Sequence, residues 1–343
     1  MFAGYGAEVL APEGPHPLAS VPPFDSAGNS VQARYFLGGR KAVRSGNLHD
    51  AIADAAIIIT DSDNPSIHPD TLTEHNPGAL VISLTPYGLR GPHSEWVGDD
   101  LTITARSGWA SVNGLQGQPP LKGSGYQASF QAGTFAFGVA IAAFIDALST
   151  ADPTGQVIDI AEFDVLASTF SPAPLRYQYS GFIWPRRSVV DVNEGPVPVK
   201  DGYFALTISR PAFWIKAMRV LGLPDLAEDP ELAQPGLRGK FKDRFVDRVG
   251  NAMLEWTRMD LFYALGEQRV IAGPVLTMDE LATNPQFTAR EFLAPVDDPG
   301  KQYDDVAFPG SFARMSKSRW QRADGAAQRP LCSGFSTPGT IKV

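Results

Sequence analysis

A chain of 343 residues with a single cysteine, Cys332, has no internal disulfide framework and no CxxC zinc pair, which fits a reducing compartment. Its five histidines, His16, His49, His68, His75 and His93, lack HExxH spacing, so no metal site is expected. Dense basic runs are missing too. With 29 Lys and Arg against 37 Asp and Glu the formal charge is −8, which argues against nucleic acid or an anionic membrane surface as the main partner. An anionic ligand would need a local basic pocket. No apolar run reaches the roughly 20 residues of a membrane span, and the N-terminus lacks a basic region followed by an apolar core. A soluble, cytoplasmic protein is expected. There is no Walker A loop and no GxSxG elbow, which removes the common NTPase and hydrolase readings. Gly123-x-Gly125-x-x-Ala128 matches the dinucleotide fingerprint only loosely, because no strand leads into it and no acidic residue ends a second strand about 20 residues on.

What is present begins with apolar content. At 43% hydrophobic residues the chain can bury a large core and divide into two domains. The stretch from Gly123 to Phe170 organises it. From Ala132 to Leu148 only Thr134 and Asp146 are polar, which predicts a helix buried all round. Gly133, Ala136, Ala140 and Ala143 give that helix a face of nearly bare backbone, and close packing there would offset the roughly 1 kcal/mol that a helical glycine costs. Asp152-Pro153-Thr154-Gly155 predicts a turn and Gln156 to Ile160 a short buried strand.

Upstream, Gly6 ends a helical turn and a strand follows from Ala7 to Ala11. After a loop rich in proline, glycine and serine (14–35), Arg40 and Lys41 stand beside two glycines, either as phosphate contacts or as solvated cations. AAIIIT (55–60) reads as a parallel strand covered on both faces, and ALVISLT (79–85) as another. The second strand runs into PYGLRGP, with Arg90 at the tip of a loop where α/β sheets take ligands. Arg90 is an anion contact or a solvated cation. Asp99 and Asp100 precede a helix from Leu101 to Ala105, where they serve the first turn or form a carboxylate pair. Strands alternating with helices define an α/β domain over 1–180. Five prolines in 171–200 suggest a connector, placed at 181–200. DGYFALTI then begins a smaller α+β domain, 201–294, with Phe213, Trp214, Ala217, Met218 and Leu221 on the apolar side of one helix. Two more helices are expected near 241–257 and 259–266. A polar C-terminal return or tail, 295–343, completes the chain.

The ordered set GAEVL (6–10), GGRKAV (38–43), ISLTPYGLRGP (82–92), QASFQAG (127–133), PTGQVIDIAEFDVL (153–166), DGYFAL (201–206) and IAGPVLTMDEL (271–281) resembles the family III CoA-transferases. That family includes α-methylacyl-CoA racemase and the carnitine dehydratase-like proteins. The resemblance implies a Rossmann-like large domain, a small α+β domain, and two chains interlaced like linked rings. It also implies coenzyme A on the large domain, with Arg40, Lys41, Tyr87, Gly88 and Arg90 as its contacts, a site closed by both subunits, and no metal. Two departures are expected to weaken the CoA site: the chain opens within the family's first helix, without the strand before it, and DSDNPSIHPDTL lacks the basic residue often found there.

The family mechanism uses one aspartate before the glycine-rich helix. Its carboxylate attacks the acyl-CoA thioester to give a mixed anhydride, which CoA thiolate reopens as an aspartyl thioester. Here the motif reads Ala128-Ser129-Phe130-Gln131-Ala132-Gly133, with Ser129 in the aspartate's place. Serine needs a general base, none is near in sequence, and an oxygen ester would trap the acyl group. Ser129 is otherwise a helix N-cap. Asp99 stands where the racemase branch has its catalytic histidine, so racemisation is not expected. These features predict the non-catalytic subunit of a heteromeric CoA-transferase, paired with a homologous subunit that carries the aspartate. The alternatives are a self-sufficient enzyme using Ser129, Glu162 or Asp164, and a CoA-binding scaffold without turnover.

Overall fold

Short branched runs between glycine and proline loops set the strands. The computed structural model describes residues 1–25, 27–61, 65–150, 154–169, 173–186, 192, 195–296, 307–317 and 320. The chain divides into two units, the larger made of Met1–Asn113, Pro120–Pro185 and Pro285–Val343, the smaller of Gly114–Pro119 and Arg186–Asn284. In the larger unit strands and helices alternate: β1 (Val9–Pro12), α1 (Val31–Leu37), β2 (Arg40–Val43), α2 (Leu48–Ala53), β3 (Ile57–Thr60), α3 (Pro69–His75) and β4 (Leu80–Thr85). After them come α4 (Asp100–Arg106), α5 (Trp109–Val112), α6 (Gln127–Ser149), β5 (Gln156–Ala161), α7 (Glu162–Thr169) and α8 (Ala173–Ser180).

β4 lies between β3 and β5, all parallel, with Leu80 facing Ile57 on one side and Gln156 on the other. Its residues Leu80 to Ser83 are buried, as a strand covered on both faces requires. β1 and β2 form a second parallel pair. A cavity of about 480 Å³ is lined by both β1 and β3. β3 and β5 are less covered than their sequences suggest, since Ile59 is 49% and Val157 40% exposed, while Ile57 and Ile160 are buried.

α6 corrects the expectation of all-round burial. Its buried residues are Ala128, Ala132, Ala136 and Ala140, a stripe at four-residue spacing. Ala136 and Ala140 pack with Ile57, Leu80, Ile82, Ile160 and Val165. The other side, with Phe130, Phe135, Val139, Ile145 and Leu148, stays exposed. One sheet can cover only one side of a helix, however apolar the rest. At 23 residues α6 is long and apolar enough to cross a membrane by length and composition, contrary to the run-length expectation, yet its alanine stripe packs it into the α/β unit. Gly133 faces open space, so it serves no close packing here. Gly155 does: a Cβ there would lie 2.3 Å from the Ala79 carbonyl oxygen. Asp152 and Pro153 of the expected turn lie outside the described residues.

The smaller unit is α+β. β6 (Val197–Val199), β7 (Gly202–Thr207) and β8 (Ile271–Pro274) form an antiparallel sheet. The same unit holds α9 (Pro211–Val220), α10 (Pro224–Glu228), α11 (Pro230–Ala233), α12 (Pro235–Arg238), α13 (Val246–Leu254), α14 (Arg258–Glu267) and α15 (Met278–Ala282). Phe204, Trp214, Met218, Phe245, Met253 and Leu265 are its fully buried centre. Trp214 meets Phe245 edge-on at 5.2 Å and donates its Nε1–H to the Leu226 carbonyl at 2.8 Å. Arg238 lies over the Trp214 ring and donates to the Leu232 and Ile208 carbonyls, each at 2.7 Å; burial pulls its pKa down to about 10. The C-terminal segment rejoins the larger unit as α16 (Pro285–Ala289), β9 (Leu293–Pro295) and β10 (Ala307–Pro309), the two strands pairing antiparallel. Cys332 and most of the predicted tail lie outside the described residues.

Candidate functional site

The acidic doublet before α4 divides its work. Asp99 is the N-cap of α4, accepting from Thr102 N–H at 2.8 Å while Thr102 Oγ1 accepts from the Asp99 amide, a reciprocal capping box. Asp100 turns to another helix. Its Oδ1 accepts from the amides of Ala128 at 2.8 Å and Ser129 at 3.2 Å, in the first turn of α6. Lys122 Nζ stands 3.4 Å from the other oxygen and donates to the Gly123 and Gly125 carbonyls. An ionised carboxylate at this end faces orphan amides and the positive pole of a long helix.

Ser129 is therefore not the cap. The N-cap of α6 is Tyr126, which makes no side-chain capping bond, and Ser129 is the third residue of the helix. By that position the cap must come from elsewhere in the chain. The Ser129 hydroxyl is on an exposed residue, and among the described residues no carboxylate or imidazole accepts its proton. A serine without such a base is a weak nucleophile.

Glu162 opens α7 where β5 ends. Burial first, and then the charge of Asp100, pushes its carboxyl above the usual range. Asp164, two residues on in the same turn, is exposed. Back on β5, both carboxylate oxygens of Asp159 lie 3.0 Å from the Leu89 amide and pin the loop that follows β4. In that loop Gly88 has φ +82°, and a Cβ there would meet both Asp159 oxygens at 3.4 Å. Tyr87 packs on Phe163 and beneath the Arg106 guanidinium, 5.0 Å from its ring centre. Arg90 is exposed at the tip.

Arg40 and Lys41 begin β2. Arg40 donates its Nε–H to the Leu37 carbonyl at 3.3 Å, and burial lowers its pKa. Lys41 pairs with Glu8 at 2.5 Å, so a large share of its charge is already matched. Both line a cavity of about 720 Å³ that also takes in Tyr35, Phe36 and, on α6, Phe130 and Thr134. A second cavity, about 310 Å³, is lined by Leu18, Phe36, Tyr126, Ser129 and Phe130. Phe36 and Phe130 belong to both. Ser129, Arg40 and Lys41 thus meet around two neighbouring cavities, whereas Tyr87, Gly88 and Arg90 line neither. The reading of the sequence missed the cap from Asp100 and the wall of Phe36, Tyr126 and Phe130. Only the four-residue spacing of Tyr126 and Phe130 hinted at that wall.

The sequence pattern of CoA-transferase family III matches residues 60–331. Succinate–glutarate CoA-transferase of Agrobacterium fabrum is 26% identical over 315 residues, covering 84% of this chain and 78% of that protein. The succinyl-CoA:(R)-benzylsuccinate CoA-transferase subunit BbsE of Thauera aromatica is 26% identical over 366 residues, covering 94% of this chain and 85% of that one. The solved structure of a CaiB/BaiF family protein from Brucella suis superposes with a TM-score of 0.77 at 22% identity, over 96% of this chain and 92% of that one. The chain belongs to CoA-transferase family III, as its ordered motifs indicate, and has the fold of the CaiB/BaiF proteins.

Proposed function

We propose that this chain binds acyl-CoA as the non-catalytic subunit of a heteromeric CoA-transferase, with a homologous chain supplying the nucleophilic aspartate. The observation that carries this is the state of the α6 N-terminus: among the described residues the hydroxyl at position 129 has no base, and the neighbouring carboxylate, Asp100, is held by two amides and Lys122. Arg40, which lines the larger cavity, would meet phosphate oxygens, with Lys41 beside it once Glu8 yields; the loop of Tyr87, Gly88 and Arg90, outside both cavities, would be a second contact. Support for a partner comes from the exposed apolar side of α6 and from a relative that is itself named as a subunit. Covering such a helix is the task of an obligate interface, which buries about 2,000 Å² or more. On the partner, an aspartate oxygen would attack the thioester carbon, the C–S bond would break, and CoA thiolate would leave, free to attack the activated aspartyl carbonyl while the carboxylate of the acyl group departs. The lone cysteine fits work in the cytoplasm.

A second reading, in which the chain turns over unaided, is favoured by Glu162, a half-buried carboxyl with no ion pair or hydrogen bond among the described residues. Co-expression with a homologue bearing the aspartate, followed by thioester exchange and hydroxylamine trapping, separates the two. The first reading expects exchange only from the pair and the adduct on the partner's aspartate. Exchange by this chain alone, with a hydroxamate on Glu162, or with an acyl ester on Ser129 seen by mass spectrometry before hydroxylamine is added and released by it, would establish the second.

A further inference from the structure

The cavity beside Ser129 has a chemistry of its own. Phe36 meets the ring of Tyr126 edge-on at 6.3 Å and that of Phe130 at 5.6 Å, and Leu18 completes the wall. These three rings are 36%, 41% and 48% exposed, so each keeps surface that a ligand can cover. Among the described residues none of the lining side chains is charged. Arg40 and Lys41 belong to the adjoining cavity, and Lys122 is held by Asp100 and two loop carbonyls.

Two kinds of acyl group fare differently against such walls. The distal carboxylate of a dicarboxylic acyl group would leave water for phenyl and leucine surface, with only the hydroxyls of Ser129 and Tyr126 and no cation among the described lining residues to replace its solvation. A ring gains instead, by burying apolar area and by edge-to-face contact with three aromatic neighbours. At about 310 Å³ the cavity is near the lower end of ligand sites, enough for one ring on a short linker. On the reading that this site takes an acyl-CoA, we propose that its acyl group is uncharged and ring-bearing, unlike the dicarboxylic acids in the name of the succinate–glutarate relative.

The test is a binding series on the full chain by calorimetry. CoA, phenylacetyl-CoA, octanoyl-CoA and succinyl-CoA are compared, alongside phenylacetyl-pantetheine and succinyl-pantetheine, which lack the nucleotide. Phenylacetyl-CoA should bind about tenfold more tightly than CoA, the step that 1.4 kcal/mol represents, and more tightly than octanoyl-CoA, while succinyl-CoA gains nothing over CoA. Phe130→Arg places a cation in the wall and should reverse the order of the phenylacetyl and succinyl thioesters. Phe36→Leu should weaken phenylacetyl-CoA several-fold more than it weakens CoA. Tightest binding of succinyl-CoA, or equal binding of the two pantetheine thioesters, overturns the proposal. If CoA itself fails to bind while phenylacetyl-pantetheine still outbinds succinyl-pantetheine, the CoA reading falls and the acyl preference stands.

Discussion

α9 and α6 are both apolar helices, and they meet opposite fates. On α9 the inward residues Trp214, Ala217 and Met218 are buried within the smaller unit, joined there by Phe204, Phe245 and Leu265. On α6 only four alanines are buried, and Phe130, Phe135, Val139, Ile145 and Leu148 stand in solvent. The difference teaches that apolar content fixes how much surface must be hidden, and says nothing of which chain hides it. The smaller unit has the residues to finish its own core. The larger unit leaves part of its apolar surplus on the face of one helix.

The sharpest break in that comparison is Trp214→Ala. Removing a fully buried indole, its contact with Phe245 and its bond to Leu226 should cost about 3 to 5 kcal/mol in urea unfolding followed by circular dichroism. Phe135→Ala on α6 should change the stability of the isolated chain by no more than about 0.5 kcal/mol, the usual size at an exposed site. In a complex with a homologous chain the same substitution should become costly. Equal losses from Phe135→Ala with and without partner would show that this face of α6 is not an interface.

Next in size is the pair at the mouth of α6. Asp100→Ala removes an acceptor from two helix amides and a partner from Lys122, and should cost about 2 kcal/mol, within the range for a capping or charged hydrogen bond. Ser129→Ala should stay within about 0.5 kcal/mol, because its hydroxyl caps nothing. The reverse order, measured by thermal unfolding, would return the cap to Ser129.

The contrast also shows where the sequence was legible. β4 was, because a run covered on both faces is apolar throughout, and α9 was, because its apolar residues recur with the helical period. The surface of α6 was not, since a helix hidden by its own sheet and one hidden by another chain have the same composition. The cap of α6 was illegible for a different reason: Asp100 lies 28 residues before the amide that it holds, and Ser129 offered a nearer candidate. Lys41 read as a free cation for the same reason, its partner Glu8 standing 33 residues upstream. Local rules find local partners, and this site is assembled from distant ones.

The smallest effect separates two glutamates, one in each unit. Glu280 is hydrogen-bonded to Arg258 and to the Thr277 amide, which hold its pKa at about 2 against an ordinary 4.5. Its folded-state pKa is depressed, so its contribution is fully present above pH 4.5 and is lost as pH falls toward about 2. Glu162 has the opposite sign. Burial and the Asp100 charge raise its pKa, so the fold disfavours its ionised form and carries that penalty at neutral pH. The penalty fades as pH falls through the raised folded value and is gone below the ordinary glutamate range. Glu280→Gln should therefore lower the melting temperature at pH 7 and converge on wild type in strong acid. Glu162→Gln should raise it at pH 7 and likewise converge as the medium turns acidic. A melting temperature at pH 7 that falls in Glu162→Gln would mean that this carboxylate has a stabilising partner, and would remove the ground for reading it as an idle, half-buried acid.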